Sequence, residues 1–248
     1  MTNVMGISEL GMINGMQRLD MISHNLANAS TSGFKRDIPV VRSFAAQFDT
    51  AVETLSRVSI GTDATLPSMS SAVDFTQGAL RNTGNQLDLA IEGEGFFVLG
   101  TGTGDGAVYS RQGSFRMDGA GRLVSTDGLV VNGVGGEIRL SGNAPRIDPS
   151  GTVWEGDDVI AQLKIVKFKN PDALIKAGDG GFSLEGSARP EPVSRPSLRQ
   201  GFLEASNIEV MDEMVKMMET VRHFEATRHV IQGYDEMIGS AIETIAEF

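Results

Sequence analysis

Apolar residues recur every seventh position at both ends of the chain and every second position in its middle. Between 207 and 246 one row holds Val210, Met217, Phe224, Ile231, Ile238 and Ile245 without a miss. Met214, Val221 and Ile242 form a flanking seam, which Arg228 and Asp235 interrupt. A row this long predicts a helix of coiled-coil type, because helices of globular cores seldom run so far. The plainer alternative is an amphipathic helix lying on its own core. Ser206 with Glu209 three residues later has the pattern of a capping box that opens this helix. Residues 4–28 predict a second helix, with Met5, Met12, Leu19 and Leu26 seven apart and Met16 and Ile22 beside them. Gly6, Gly11 and Gly15 each weaken that helix by about 1 kcal/mol relative to alanine, so it needs a partner.

The middle has a different period. Leu87, Leu89 and Ile91 alternate with Asp88 and Ala90, and short apolar runs follow at 96–99, 129–131 and 138–140. Asp-Gly, Gly-Asp and Gly-Gly pairs separate them, which predicts short strands joined by tight turns. Asp118-Gly119-Ala120-Gly121 is an expected hairpin turn. Ala161, Leu163 and Ile165 alternate, then Val166 and Phe168 continue in the opposite phase, which marks a bulge or a strand end. The fold expected is α+β, with terminal helices over 1–36 and 206–248 paired as a coiled coil. An antiparallel β domain fills 81–186, and 37–80 and 187–205 are extended connections. Pro190, Pro192 and Pro196 support the second connection.

Composition sharpens this division. Of 30 glycines, 22 lie between Gly78 and Gly186, whereas ten of twelve methionines lie in 1–28 or 206–248. Methionine fills irregular gaps, either as ordinary core or where packing must tolerate varied neighbours. A net charge of -11 argues against nucleic acid held through its phosphates. The absence of cysteine excludes disulfides and thiolate chemistry. No apolar run is long enough to span a bilayer as a helix, and the first residues lack the pattern of a cleavable signal peptide.

Candidate chemistry is sparse. GTGTGDG at 100–106 lacks the Gly-Lys-Ser/Thr of a phosphate loop and reads as a hairpin tip. His223 and His229 are six apart, and metal ligands on one helix face are expected four apart; they and His24 read as solvated or interface side chains. Glu155, Asp157 and Asp158 beside Trp154 offer the carboxylates of a β-rich hydrolase, although their turn-like surroundings favour a solvated loop. No G-x-S-x-G elbow occurs. We therefore expect no enzyme, catalytic residue, cofactor or metal.

NLANASTSGFKR at 25–36 ends a helix in small polar residues and then turns at glycine. It resembles the N-terminal signature of the bacterial flagellar rod and hook proteins. FTQGALRNTGNQLDLAIEGEGFFVL (75–99) and YSRQGSFRMDGAGRLVSTDGLVVNG (109–133) resemble that family's β domain. GFLEASNIEVMDEMVKMMETVRHFEATRHVIQGYDEMI (201–238) resembles its C-terminal helix, and 134–200 carries little of the pattern. Four motifs in order make the resemblance specific. It implies a structural subunit of the basal-body rod in the periplasm, of the proximal subtype, with the distal subtype the near alternative. It implies export by the flagellar type III apparatus and assembly with copies of itself and other rod proteins. Packing would use Met5, Met12, Leu19, Leu26, Val210, Met217, Phe224, Ile231, Ile238 and Ile245, and the turn would use Asn25, Asn28, Gly33, Phe34 and Lys35. Lys35 and Arg36 are expected to face solvent or an acidic neighbour, with the C-terminal helix the candidate to supply it.

Overall fold

A computed structural model describes residues 2–40, 70–100, 106–142, 145–178, 180–184 and 189–246, and side chains from residue 11 to residue 240 within them. The chain divides into two compact units. One comprises Met1–Ala27, Asp37–Ala72 and Glu209–Phe248, the other Asn28–Arg36 and Val73–Ile208. Most of the segment expected as a connection before the β domain lies outside the described residues, as does most of the 100–106 tip.

The first unit holds helices Thr2–Ala27 and Val210–Ala246, which pack side by side. A β-carbon on Gly11 would lie 3.9 Å from Thr227 and one on Gly15 would lie 3.6 Å from Phe224, while Asn25 reaches Glu213. These pairs run in opposite senses, so the helices are antiparallel. A β-carbon at Gly11 or Gly15 would make only ordinary van der Waals contact, so the space between the helices does not demand glycine at either position. The C-terminal helix starts later than its capping box suggests. Glu209 provides the first carbonyl, accepting from the Glu213 N–H at 3.0 Å, whereas Ser206 Oγ accepts from Ile208 N in a preceding turn. Asn207 is held away from helical geometry by its own bonds, donating to Asp74 O at 2.8 Å and accepting from Arg36 N at 2.8 Å.

The second unit is antiparallel β throughout its paired strands. Its largest sheet orders Leu174–Lys176, Gly181–Leu184, Val108–Ser110, Phe96–Leu99, Ile165–Lys167 and Glu191–Pro192. Phe97, Leu99 and Ile165 face one apolar cluster, and Phe96, Val98 and Val166 face another. Both sheet faces are thus covered, which explains why 96–99 is an unbroken apolar run. The slip of phase near 165 is a strand end: Asp158–Gln162 stops and Ile165–Lys167 begins in a different sheet. The bulge lies instead between Val153 and Trp154. The Asp118 turn joins Phe115–Met117 to Leu123–Ser125, its carboxylate accepting from Ala120 N and Arg122 N at 2.8 Å each.

The segment expected as a return connection is largely structured. Leu198–Gln200 pairs with Leu89–Ile91, and Phe202–Glu204 pairs with Leu80–Asn82. Three prolines dominate the pattern before residue 197, and strands of three residues are too short to show alternation. This pairing brings Glu204 into the β unit.

Candidate functional site: a buried ionic junction and an apolar helix face

The chain leaves the first helix at Asn28, where Thr31 N donates back to Asn28 O at 3.1 Å. Gly33 then adopts φ +72°, and its N–H donates to Glu204 O at 2.7 Å. A β-carbon here would lie 2.5 Å from the backbone of Arg111 and Gln112, so both backbone shape and space demand glycine. Phe34 is buried beneath the Lys176 ammonium, whose nitrogen stands 4.2 Å from the ring centroid.

Lys35 meets an acidic neighbour, one of its two expected settings, but on another element than the one suggested. It is fully buried, and its Nζ donates to Glu204 Oε1 at 2.5 Å and to Thr76 O at 2.7 Å. Its acidic neighbour therefore sits on a strand, not on the C-terminal helix. Arg111 Nη1 donates to Glu204 Oε2 at 3.3 Å, and Gly78 N to Oε1 at 3.0 Å. Burial pulls the Lys35 ammonium below its ordinary pKa, with Glu204 opposing that pull. Burial lowers Arg111 in the same way against the same carboxylate. Arg36, half-buried, forms an ion pair with Asp74 at 2.8 Å. Burial would raise the Asp74 carboxyl, but the Thr76 N–H and Arg36 outweigh it and hold it below the ordinary aspartate value. One carboxylate thus holds together the turn, Arg111 just after the strand Val108–Ser110, and the segment at 76–78. Both its oxygens are engaged, so the cluster is built to clamp rather than to move protons.

In the helical unit, Asn25 is buried, exchanging two 2.9 Å bonds with the Asp37 backbone and donating to Glu213 at 3.5 Å. Met12, Leu19 and Leu26 are half-buried beside buried Ile22, while Met16 is exposed. On the C-terminal helix Met217, Phe224 and Ile231 are half-buried, whereas Val210 and Ile238 are exposed. The side chains of Met5 and Ile245 lie outside the described residues. The second shielded row is not the expected one. It comprises Glu213, Thr220, Thr227 and Tyr234, one position before Met214, Val221, Arg228 and Asp235. Burying the latter row would strand two charges. The threonines instead satisfy their hydroxyls within the helix, Thr220 on Lys216 O at 2.7 Å and Thr227 on His223 O at 2.9 Å. The consequence is an exposed apolar face of Met211, Met214, Val215, Met218 and Val221, at i, i+3, i+4 spacing.

The other candidates have local roles. Glu155 is buried and accepts from the Ser141 N–H at 2.8 Å and from its hydroxyl, while Asp157 and Asp158 are exposed. His24 Nδ1 lies 3.2 Å from Asp37, and His223 and His229 are exposed. No group of metal-ligating side chains occurs among the described residues, and no helix among them is long and apolar enough to cross a membrane. Lys35, Glu204 and Arg111 form the cluster that sequence reasoning missed in part: Lys35 was singled out, its two partners were not.

Three family models and several curated relatives match the chain. Residues 7–35 match the flagella basal body rod protein family, 90–154 the D1 domain of the flagellar hook protein FlgE/F/G family, and 199–244 the C-terminal region of the flagellar basal body rod FlgEFG proteins. Flagellar basal-body rod protein FlgG of Bacillus subtilis is 32% identical over 94% of each chain. Flagellar basal-body rod protein FlgF of Caulobacter vibrioides is 31% identical over 93% of each, and that of Mesorhizobium japonicum 28% over 92% of each.

Proposed function

We propose that this chain, which belongs to the flagellar basal-body rod protein family, is a subunit of the proximal rod. It is a structural protein of the bacterial flagellar basal body and not an enzyme. We take FlgF as the proximal subtype and FlgG as the distal one; their identities to this chain are alike, and alignment length is what favours the proximal subtype. Matching 94% of this 248-residue chain to the Bacillus FlgG takes 257 aligned positions, so that relative holds residues this chain lacks. Matching 93% to the Caulobacter FlgF takes only 237. Labelling the β unit with a small tag and locating it in isolated basal bodies tests the assignment. Density at the motor end of the rod is expected; density at the hook end makes the chain a distal subunit.

Assembly through the terminal helices, in coiled-coil fashion with copies of this chain and other rod subunits, is the second part of the proposal. The observation that carries it is the exposed row Met211, Met214, Val215, Met218 and Val221. Five apolar side chains in water on one helix face favour burial against a neighbour. Methionine's flexible thioether suits a face that meets neighbours in slightly different settings. The half-buried row of Met217, Phe224 and Ile231 would tighten in the same assembly. The chain would be exported through the flagellar type III apparatus and, once assembled, carry torque from the motor towards the hook. The domains then divide the labour: 1–36 and 206–248 assemble, and 81–186 forms a β body.

A further inference from the structure

We infer that the β unit holds a binding pocket for a carboxylate carried on an apolar body of about phenyl size. The pocket has a volume of about 330 Å³, at the small end of ligand-binding cavities. Phe75, Phe96 and Phe168 form apolar walls, Arg111 and Lys167 contribute cations, and Glu94 stands at the border. Phe96 meets Phe75 and Phe168 edge-on, with centroids 5.6 Å apart in each pair.

Arg111 carries the inference. It is only 5% exposed, and its guanidinium lies 5.1 Å above the Phe96 ring. Nη1 donates to Glu204, yet Nε has no hydrogen-bond partner among the described residues. A buried, unsatisfied donor on a charged group is costly, so its persistence needs a reason. The charges around it point the same way. Lys35 and Arg111 share the single buried carboxylate of Glu204, which leaves one buried positive charge in excess, offset in part by the exposed carboxylate of Glu94 near Arg111. Lys167, an exposed cation, also lines the pocket, while Lys169 is engaged by Glu191 at 3.0 Å. An incoming carboxylate would take the Nε edge of the guanidinium, the geometry in which arginine binds it with two parallel bonds. Its apolar body would rest between the phenyl rings. Glu94 disfavours a ligand of higher negative charge.

Titration of the full chain with 3-phenylpropionate, followed by amide NMR, tests the pocket. Saturable shifts at Gly95, Phe96 and Phe168 are expected from the acid and not from 3-phenylpropanamide, which has the same body without the charge. Arg111→Lys keeps a cation for Glu204 but removes the Nε edge, and should weaken binding about tenfold. Lys167→Gln leaves the ionic cluster intact and should weaken it about threefold. N-acetyl-Glu-Phe-amide distinguishes the source of the carboxylate: tighter binding than the free acid assigns it to an acidic side chain of a protein, weaker binding to a free organic acid. Equal shifts from acid and amide, no saturable shift, or unchanged affinity in a folded Arg111→Lys protein would each overturn the inference.

Discussion

The two units bury their special residues in opposite ways. The β unit puts charge inside: Lys35, Arg111 and Glu204 are almost completely enclosed, and each is held by a partner far along the chain. The helical unit leaves apolar surface outside, with Met211 at 70% and Met218 at 55% exposure. Buried ion pairs fix one geometry, because removing either partner strands the other. Exposed methionines fix none, and take their shape from what covers them. A rod subunit needs both, a body that keeps its form under load and a surface completed by neighbours.

The largest effect that sharpens this contrast is expected at the junction. Glu204→Ala leaves Lys35 and Arg111 buried without their carboxylate and should destabilise the β unit by about 3–5 kcal/mol. Urea unfolding followed by the fluorescence of Trp154 reads it. A loss within error of zero would mean that the cluster does not hold the turn. Phe224→Ala should cost less than the 3–5 kcal/mol typical of a fully buried phenylalanine, because Phe224 is only half-buried in the free subunit. Its main effect should appear as lost assembly and motility, with Trp154 reporting an unaltered β unit.

Next comes the turn. Gly33 and Gly84 have nearly the same φ, +72° and +71°, but a β-carbon at Gly84 meets nothing within 4 Å. Alanine at either position should cost about 1–2 kcal/mol for the left-handed backbone. Gly33→Ala should lose clearly more in the same unfolding measurement, because it also drives into Arg111. Equal losses would show that only φ matters. The smallest effect is expected from Asp74→Asn, about 1 kcal/mol at neutral pH for a partly exposed pair. Asp74 is held below its ordinary pKa of 3.8 when folded. Its contribution is therefore complete above that value and fades as pH falls through the lower folded one. Unfolding curves of the variant and the parent should converge under strongly acidic conditions and separate above pH 4.

The sequence made the two helices and the β character of the middle legible, because seven-residue and two-residue periods survive in short windows. It also picked out Gly33, Phe34 and Lys35 as a turn after the first helix. What escaped it joins distant positions. Glu204 meets Lys35 across 169 residues and Arg111 across 93, and in its own window it is one charge in a three-residue strand. The shielded polar row was missed for a related reason. Thr220 and Thr227 look like surface positions until their hydroxyls are seen bonded to their own helix. Arg228 and Asp235 were the available signal, since two charges in a row argue that the row faces water.

The account stands or falls on the exposed apolar face being an assembly surface rather than idle surface. Replacing Met214 and Met218 by lysine adds two charges there and leaves Lys35, Arg111 and Glu204 untouched. The direct measurement compares the amount of this variant exported with the amount retained in purified basal bodies, in cells lacking the unmodified protein. The account predicts export at the parental level, a folded β unit, and almost no variant in the rod. Incorporation at the parental level would contradict it.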